Sequence, residues 1–434
     1  MTDIAAPGEA GYEAAAAVFN LAAPPAPAAA VTATTVGQVQ AAVRHAAGAG
    51  LSVRMHTTGH AAPTFGPMTD ALLIRTALAG QVEVDPARRV ARMPAGTLWG
   101  AVVEAAAEHG LGAAHGTSPT VGVVGYLLRG GVSFYGREVG LAVNAVRSVD
   151  LVTADGELRR VDAETDPELF WALRGGGGGF GVVTAVEIDL FPVSEVYTGA
   201  AFWPAVHAFE LISRWRRWTV DAPSRASTSV RMMNLPPMPG RPPEVTSGPV
   251  ICIDGAVLGA DADDLLGPLH EVAAPVLTTW RPTTATAVLK THMDPPVPVP
   301  SVADHMLLTD VGVESFIEAT GPDSGSPLVS VELRQLGGAM AVPSATGGAL
   351  SHLPGSFVHQ AIGVPLGPVT VESIRSHFAK VRSALARWDT GPPAPNFVTG
   401  PGQSQAHLTP SQIARANQVR DRVDPTGLFR ADAL

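Results

Sequence analysis

The chain has 434 residues, 46% of them hydrophobic and 16% charged, too many for one ordinary core, so a compact two-domain protein is expected. Its formal net charge of −10 argues against nucleic acid or an anionic membrane surface as the main partner. No 18-residue apolar run occurs, the start Met1-Thr-Asp-Ile is no secretory signal, and the lone Cys252 excludes internal disulfides and a Cys-rich metal site. These features predict a soluble cytoplasmic protein with no metal and no membrane contact.

In chain order, residues 1–30 are rich in Ala and Pro and read as an extended arm. Thr35 to Gly50 has helical spacing, with Val36, Val39, Val43 and Ala46 on one face. Leu51 to Met55 is a short strand that runs into Thr57-Thr-Gly-His60, and Ala71 to Arg75 is another. Hairpins are expected at Val82–Asp85/Val90–Met93 and, across the Asp155-Gly156 turn, at Val146–Thr153/Glu157–Val161. Thr97 is expected to cap a helix that ends at Gly110, and Asp166-Pro167 opens another through Leu173. Gly181 to Leu190 closes this half as a long strand.

From about Thr198 prolines cluster at Pro236–Pro243 and Pro295–Pro300. Strand-like runs at 250–253, 328–336 and 357–364 alternate with helical patterns at 210–218 and 371–388, which suggests an α+β domain on an antiparallel sheet. The chain ends in a helix beginning near Thr409 and stopped by Asp424-Pro425.

Three motifs carry chemistry. Arg54-Met-His-Thr-Thr-Gly-His60 is a strand end whose backbone N–H groups can face an anion and whose glycine lets a ligand come close. A zinc reading of His56 and His60 fails because the pair lies on a strand-loop with no Glu after His56. A loop histidine without a role is the alternative. Gly116-Thr-Ser-Pro-Thr-Val-Gly-Val-Val-Gly-Tyr126 with Gly130-Gly131, and Arg174 to Thr184 with its six glycines, let the chain wrap a flat or phosphorylated ligand. Neither is a P-loop or a dinucleotide fingerprint, and glycine clusters alone are more often turns.

In this order the three motifs resemble the FAD-binding domain of the vanillyl-alcohol-oxidase (PCMH-type) superfamily, in its berberine-bridge-enzyme-like branch. The resemblance spans nearly the whole chain, from Val31 to Asn396-Phe397 and Asp424-Pro-Thr-Gly-Leu-Phe429. It implies an FAD domain made from both chain ends (1–195 and 391–434) and a central substrate domain (196–390) that lays an antiparallel sheet, flanked by helices, over the flavin. His60 would carry an 8α-histidyl bond to FAD, with Arg54, His56, Thr57, Thr58, Gly59 and Ala61 around it. Ser118, Pro119, Thr120, Gly122, Val123, Gly125, Tyr126 and Gly130 would form the second flavin loop. Asn144, Gly181, Val182, Val183, Asn396 and Phe397 complete the implied cofactor contacts.

Three departures qualify the resemblance. Where several relatives have a second flavin-linking cysteine this chain has Ser118, so a single covalent link is expected. The usual Gly-Gly-Gly is Arg129-Gly-Gly, where the cation could bind a phosphate, face solvent or alter the site. The tyrosine base of relatives has no counterpart, since Ala394-Pro-Asn396 stands in its place and no tyrosine follows Tyr197. Candidate bases are then Glu332, Arg334 and Gln335 on one strand and His359 and Gln360 on another. Alternation places Phe357, His359 and Ala361 on one face, and His359 has the best intrinsic pKa for the task, a satisfied sheet histidine being the alternative. His292, His305 and His352 sit in loop-like stretches and are unranked. The expected function is hydride transfer from an alcohol, amine or activated C–H of a small, largely apolar bacterial secondary metabolite to FAD, with molecular oxygen as one acceptor. A cyclase or isomerase with a structural flavin is the alternative.

Overall fold

The computed structural model describes residues 3–237, 242–259, 261–401 and 405–430. Part of the Pro236–Pro243 cluster lies outside them. The fold is α+β, with a three-stranded and a five-stranded sheet from residues 29–189, a two-stranded pair of Leu111–Gly112 with Phe191–Pro192, and one large central sheet.

The first sheet has three parallel strands in the order Ala29–Ala33, Ala71–Thr76, Ser52–His56. The helix Val36–Ala49 covers it. Thr35 forms a capping box with Gln38, Gly50 ends the helix in the left-handed conformation, and Val39, Ala42, Val43 and Ala46 are buried against Val31, Leu72 and Ile74. The second sheet is antiparallel, in the order Glu83–Asp85, Val90–Pro94, Val182–Asp189, Val146–Val152, Leu158–Asp162. The Asp155-Gly156 turn closes its hairpin with Gly156 at φ 75°.

Residues before Ala30 are not a free arm. They fold into the helix Ala10–Ala16 and bury Tyr12 and Ala15 against Ala30, Ala71 and Leu73, because the Ala-rich segment has one apolar face to hide. Thr97 is not a helix cap either. The helix is Trp99–Ala107, and the Thr97 hydroxyl donates instead to Pro94 O at 2.8 Å.

The helix Pro410–Val423 returns to the first half, with Ala416 and Val419 in the same core as Phe170 and Val186. Beyond it, Asp424 accepts from the N–H groups of Leu428 and Phe429 at 2.9 and 2.7 Å, and Val53 N donates to Leu428 O. The five-glycine run serves this return. His407 and Gln405 donate to Gly175 O and Gly176 O, and Arg420 to the carbonyls of Gly176 and Gly178.

The central sheet is antiparallel, in the order Leu277–Thr278, Val196–Pro204, Val250–Leu258, Ala226–Met233, Ser330–Gln335, Phe357–Gly363, Val302–Leu308. Period-two alternation gives it two faces. One buries Trp203, Val230, Ile253, Leu333, Met306 and Phe357 under the helices Ala208–Asp221, Val313–Thr320 and Val371–Leu385. The other carries Arg231, Asp254, Glu332, Arg334 and Val358 and turns toward the first half, where Val358 and Leu307 pack with Val132, Leu350 and Phe397.

Candidate functional site

The site begins where the strand Ser52–His56 ends. His56 Nε2 lies 2.7 Å from Ala15 O and ties the strand to the N-terminal helix, while burial lowers its pKa to about 4. Arg54 is buried on the same strand. Thr57 Oγ1 pairs with Thr76 Oγ1 at 2.9 Å, and its methyl side fills the space beside Gly122. Gly59 has φ 70°, and a Cβ there would lie 2.4–2.8 Å from Val18, so no side chain fits.

That close approach sets His60. Its ring stacks on Phe19 at 3.8 Å with 14° between planes; Nδ1 is 2.8 Å from Thr58 Oγ1, and Nε2 3.5 Å from Thr120 Oγ1. Burial, opposed by Asp294, lowers its pKa to about 4, so the imidazole is neutral with a nitrogen lone pair at pH 7. Ala61 follows it into a short turn, its carbonyl taken by Thr64.

The second loop faces the first. Ser118 Oγ and Thr120 Oγ1 are 2.9 Å apart, and Pro119 O and Val121 O accept from Gly100 N and Trp99 N. Gly122 opens the helix Val123–Leu128, which contains Gly125 and Tyr126. The Tyr126 ring meets Trp99 edge-on at 5.3 Å, and its buried hydroxyl has no partner among the described residues. Asn396 clamps both ends of the Tyr126–Gly131 segment: Oδ1 accepts from Gly131 N, and Nδ2 donates to Tyr126 O at 3.0 Å. Asn144 Nδ2 donates to Ser351 O and leaves a buried Oδ1 open. A Cβ at Gly130 would meet Leu350 and Asn396, and one at Gly181 would lie 2.6 Å from Val152 O. Val182 and Val183 are core residues of the second sheet, so only their backbone can serve a ligand.

Over these loops lies a buried ion cluster on the central sheet. Arg231 Nη2 donates to Asp254 Oδ2 at 2.6 Å, and Nη1 to His292 O at 3.0 Å. His292 Nδ1 is 2.9 Å from the same Asp254 oxygen, and Ser229 Oγ donates to the other. His292 Nε2 lies 3.5 Å from Glu332 Oε2 and 3.2 Å from Arg334 Nη2. Arg334 Nε donates to Glu332 Oε1 at 2.7 Å, its guanidinium 5.1 Å from the Phe134 ring centre and 5.8 Å from that of Phe397. Asp294 joins cluster to loops: Thr117 Oγ1 donates to it at 2.6 Å, and it lies 4.0 Å from His292 Nε2. Met293 between the two has φ 56°, a conformation costly for a side-chain-bearing residue.

Burial and Arg231 push the His292 pKa down, but Glu332, Asp254 and Asp294 outweigh them and raise it to about 9. Burial pushes Glu332 up, yet Arg334 and His292 hold its carboxyl well below the usual range. His292 Nε2 therefore has a partner in either state: protonated, it donates to Glu332; neutral, it accepts from Arg334.

Two of the candidate bases lie on the wrong face. His359 pairs in register with Leu333 and Met306, side chains of the helix-side core, and burial lowers its pKa to about 4. Gln335 accepts from Thr228 Oγ1 and donates to Thr219 O of a covering helix. Neither reaches the cluster, because alternation sends positions 333, 335 and 359 to the helices and 332, 334 and 360 to the site. Glu332 and Arg334 are in the site, and Gln360 shares their face. Sequence reasoning misses Arg231, Asp254 and Asp294 and leaves His292 unranked. The signal for Asp254 was a lone carboxylate in the apolar run Val-Ile-Cys-Ile-Asp-Gly-Ala-Val. The described residues contain no group of side chains able to hold a metal, and no described helix is long and apolar enough to cross a membrane.

Residues 27–162 match the FAD binding domain family. (R)-6-hydroxynicotine oxidase of Paenarthrobacter nicotinovorans is 35% identical over 170 residues, 39% of this chain and 37% of that one. Xylooligosaccharide oxidase of Thermothelomyces thermophilus is 35% identical over 222 residues, 50% of this chain and 45% of that one. The chain thus spans less than half the length of these curated relatives. Among solved structures, Physcomitrella patens BBE-like 1 superposes with a TM-score of 0.83 at 21% identity, covering 99% of this chain and 96% of that one. Residues 27–162 therefore form an FAD binding domain, and the fold of the chain is that of Physcomitrella patens BBE-like 1. The residues present fit the cofactor: glycines 59 and 130 leave no room for a side chain, while Tyr126 and Asn144 offer open polar atoms.

Proposed function

We propose that the protein is an FAD-dependent oxidoreductase whose flavin is joined through His60 alone, and that it oxidises a C–H bond next to a hydroxyl or amine. The observation that carries this is an immobilised, neutral His60 with Asp294 between it and the buried His292–Glu332–Arg334 cluster, whose His292 Nε2 can take or give a proton. Phe19 and Thr58 hold the His60 ring in one orientation, as covalent attachment requires. Ser118 offers a hydroxyl where a second link would need a thiolate.

Bound FAD supplies the two-electron acceptor, which the side chains of this chain cannot. The chain's part is to bind, orient and handle the proton. The Phe134 and Phe397 rings, 5.1 and 5.8 Å from the Arg334 guanidinium, set apolar surface beside the cluster, which suits a largely apolar substrate body, as in secondary metabolism. The substrate's hydroxyl or amine proton goes to His292 Nε2 once that atom is neutral. Glu332, an ionised carboxylate locked to Arg334, is a weak acceptor and acts by holding His292.

Anaerobic mixing with a panel of alcohols and amines tests the assignment. Loss of visible flavin absorbance with at least one of them, faster as pH rises toward 9, is the expected result. Turnover of a substrate without any flavin bleaching would replace it with the cyclase or isomerase reading.

A further inference from the structure

One basic residue of the flavin loop belongs to neither the cofactor cradle nor the ion cluster. Arg129 ends the helix Val123–Leu128 and is buried, yet it makes no hydrogen bond or ion pair among the described residues. Burial alone lowers its pKa, to about 10, with no carboxylate to oppose it. A buried guanidinium without a counter-ion is unfavourable unless something else supplies the negative charge.

Two more basic side chains converge on it. His305 lies on the site face, in register with Gln360, and is buried with both ring nitrogens unpartnered. His407 donates through Nε2 to Gly175 O, and its Nδ1 is buried without a partner. Burial lowers the pKa of both to about 4, and the nearby Arg129 charge adds to it, so both rings are neutral at pH 7 beside the guanidinium. Packing shows why. Leu350 abuts both Gly130 and Gly175, and it shares a core with Leu307, which lies on the same strand face as His305. The other charge that reaches His305 is Arg382, again a cation, which donates to His305 O at 2.9 Å. The Arg129 cation and the unpartnered N–H of a neutral His305, with no acid among them, make a recess that favours an anion at the edge of the flavin loop.

We propose that Arg129 and His305, with His407 behind them, form a subsite for an anionic oxygen, and that the oxygen is a carboxylate of the substrate. The guanidinium fork matches a carboxylate bidentately, and the His305 ring supplies a third donor. The substrate is then an organic acid with an apolar body, its carboxylate at Arg129 and its oxidisable carbon nearer the His292 cluster. This deepens the flavin-enzyme reading and rests on it. The same chemistry could come from a phosphate of the cofactor, and the experiment separates the two.

The purified holoprotein is titrated with formate, acetate and benzoate, and with formamide, acetamide and benzamide as neutral partners. Melting temperature and the flavin spectrum are both followed. At least one acid should raise the melting temperature and perturb the flavin while its amide does neither. Arg129→Gln should weaken that acid about 10- to 100-fold, retain its flavin and melt no lower than the parent, since it removes an unpaired charge. His305→Gln should weaken the acid less and repeats the test independently. The proposal is overturned if every acid equals its amide, or if Arg129→Gln keeps full acid affinity. It is also overturned if that variant melts lower, or if it loses flavin with acid binding unchanged, which would assign the anion to the cofactor. The melting readout does not need the flavin, so a colourless protein would refute the oxidoreductase reading without deciding the subsite.

Discussion

Asp254→Asn is the sharpest perturbation of the ion cluster. The carboxylate is fully buried and accepts from Arg231 at 2.6 Å, from His292 at 2.9 Å and from Ser229. Asparagine keeps the shape and one acceptor oxygen but removes the charge that balances two cations. Breaking a buried pair in this way costs about 3–5 kcal/mol, because the partner charge stays behind. With an unfolding entropy of about 0.9 kcal/mol/K for 434 residues, that is a fall of roughly 3–6 °C in melting temperature. His292 also loses one of the three carboxylates that raise it, so its pKa should drop below 9. Thermal unfolding followed by circular dichroism, and the pH dependence of flavin bleaching by substrate, read the two effects. A variant that melts within a degree of the parent with an unmoved pH limb would refute the coupling of Asp254 to His292.

The same geometry gives two further outcomes. Gly59→Ala places a Cβ 2.4–2.8 Å from Val18 at φ 70° and should yield protein with little or no flavin, seen as the ratio of visible to ultraviolet absorbance; normal loading would show that the loop is free to move. Stability should fall on both sides of neutrality. His56, His60, His115, His305, His359 and His407 have folded pKa values lowered to about 4, so the unfolded chain binds more protons from pH 6.5 downward and the fold weakens as pH falls toward 4. His292 is raised instead, so its contribution is complete below 6.5 and lost as pH rises through about 9. Urea midpoints measured from pH 4 to 10 should peak near 7, and a midpoint unchanged between pH 7 and 5 would contradict the buried neutral histidines.

Much of this architecture was legible in the sequence where local signals and tertiary packing agree. Thr35, Gly50, Asp166 and the Asp155-Gly156 turn act where cap and turn chemistry placed them. The N-terminal segment was misread because alanine and proline say little about a helix stabilised by burying Tyr12 on a sheet not yet formed. The tight loops around Gly59 and Gly130 were readable from glycines that close backbone packing requires. The buried ion cluster was not. Period two told which residues of one strand share a face, but not which face meets the flavin loops, and so His359 was favoured over Glu332. His292 and Asp294 come from a loop, Arg231 and Asp254 from two other strands, and only pairing register brings them together.

Covalent attachment at His60 is the central claim, and acid precipitation of the purified protein tests it directly. The flavin colour should stay in the protein pellet for the parent and for Ser118→Ala, and pass into the supernatant for His60→Ala. Colour released from the parent itself would contradict covalent attachment, and colour retained by His60→Ala would place the link on another residue.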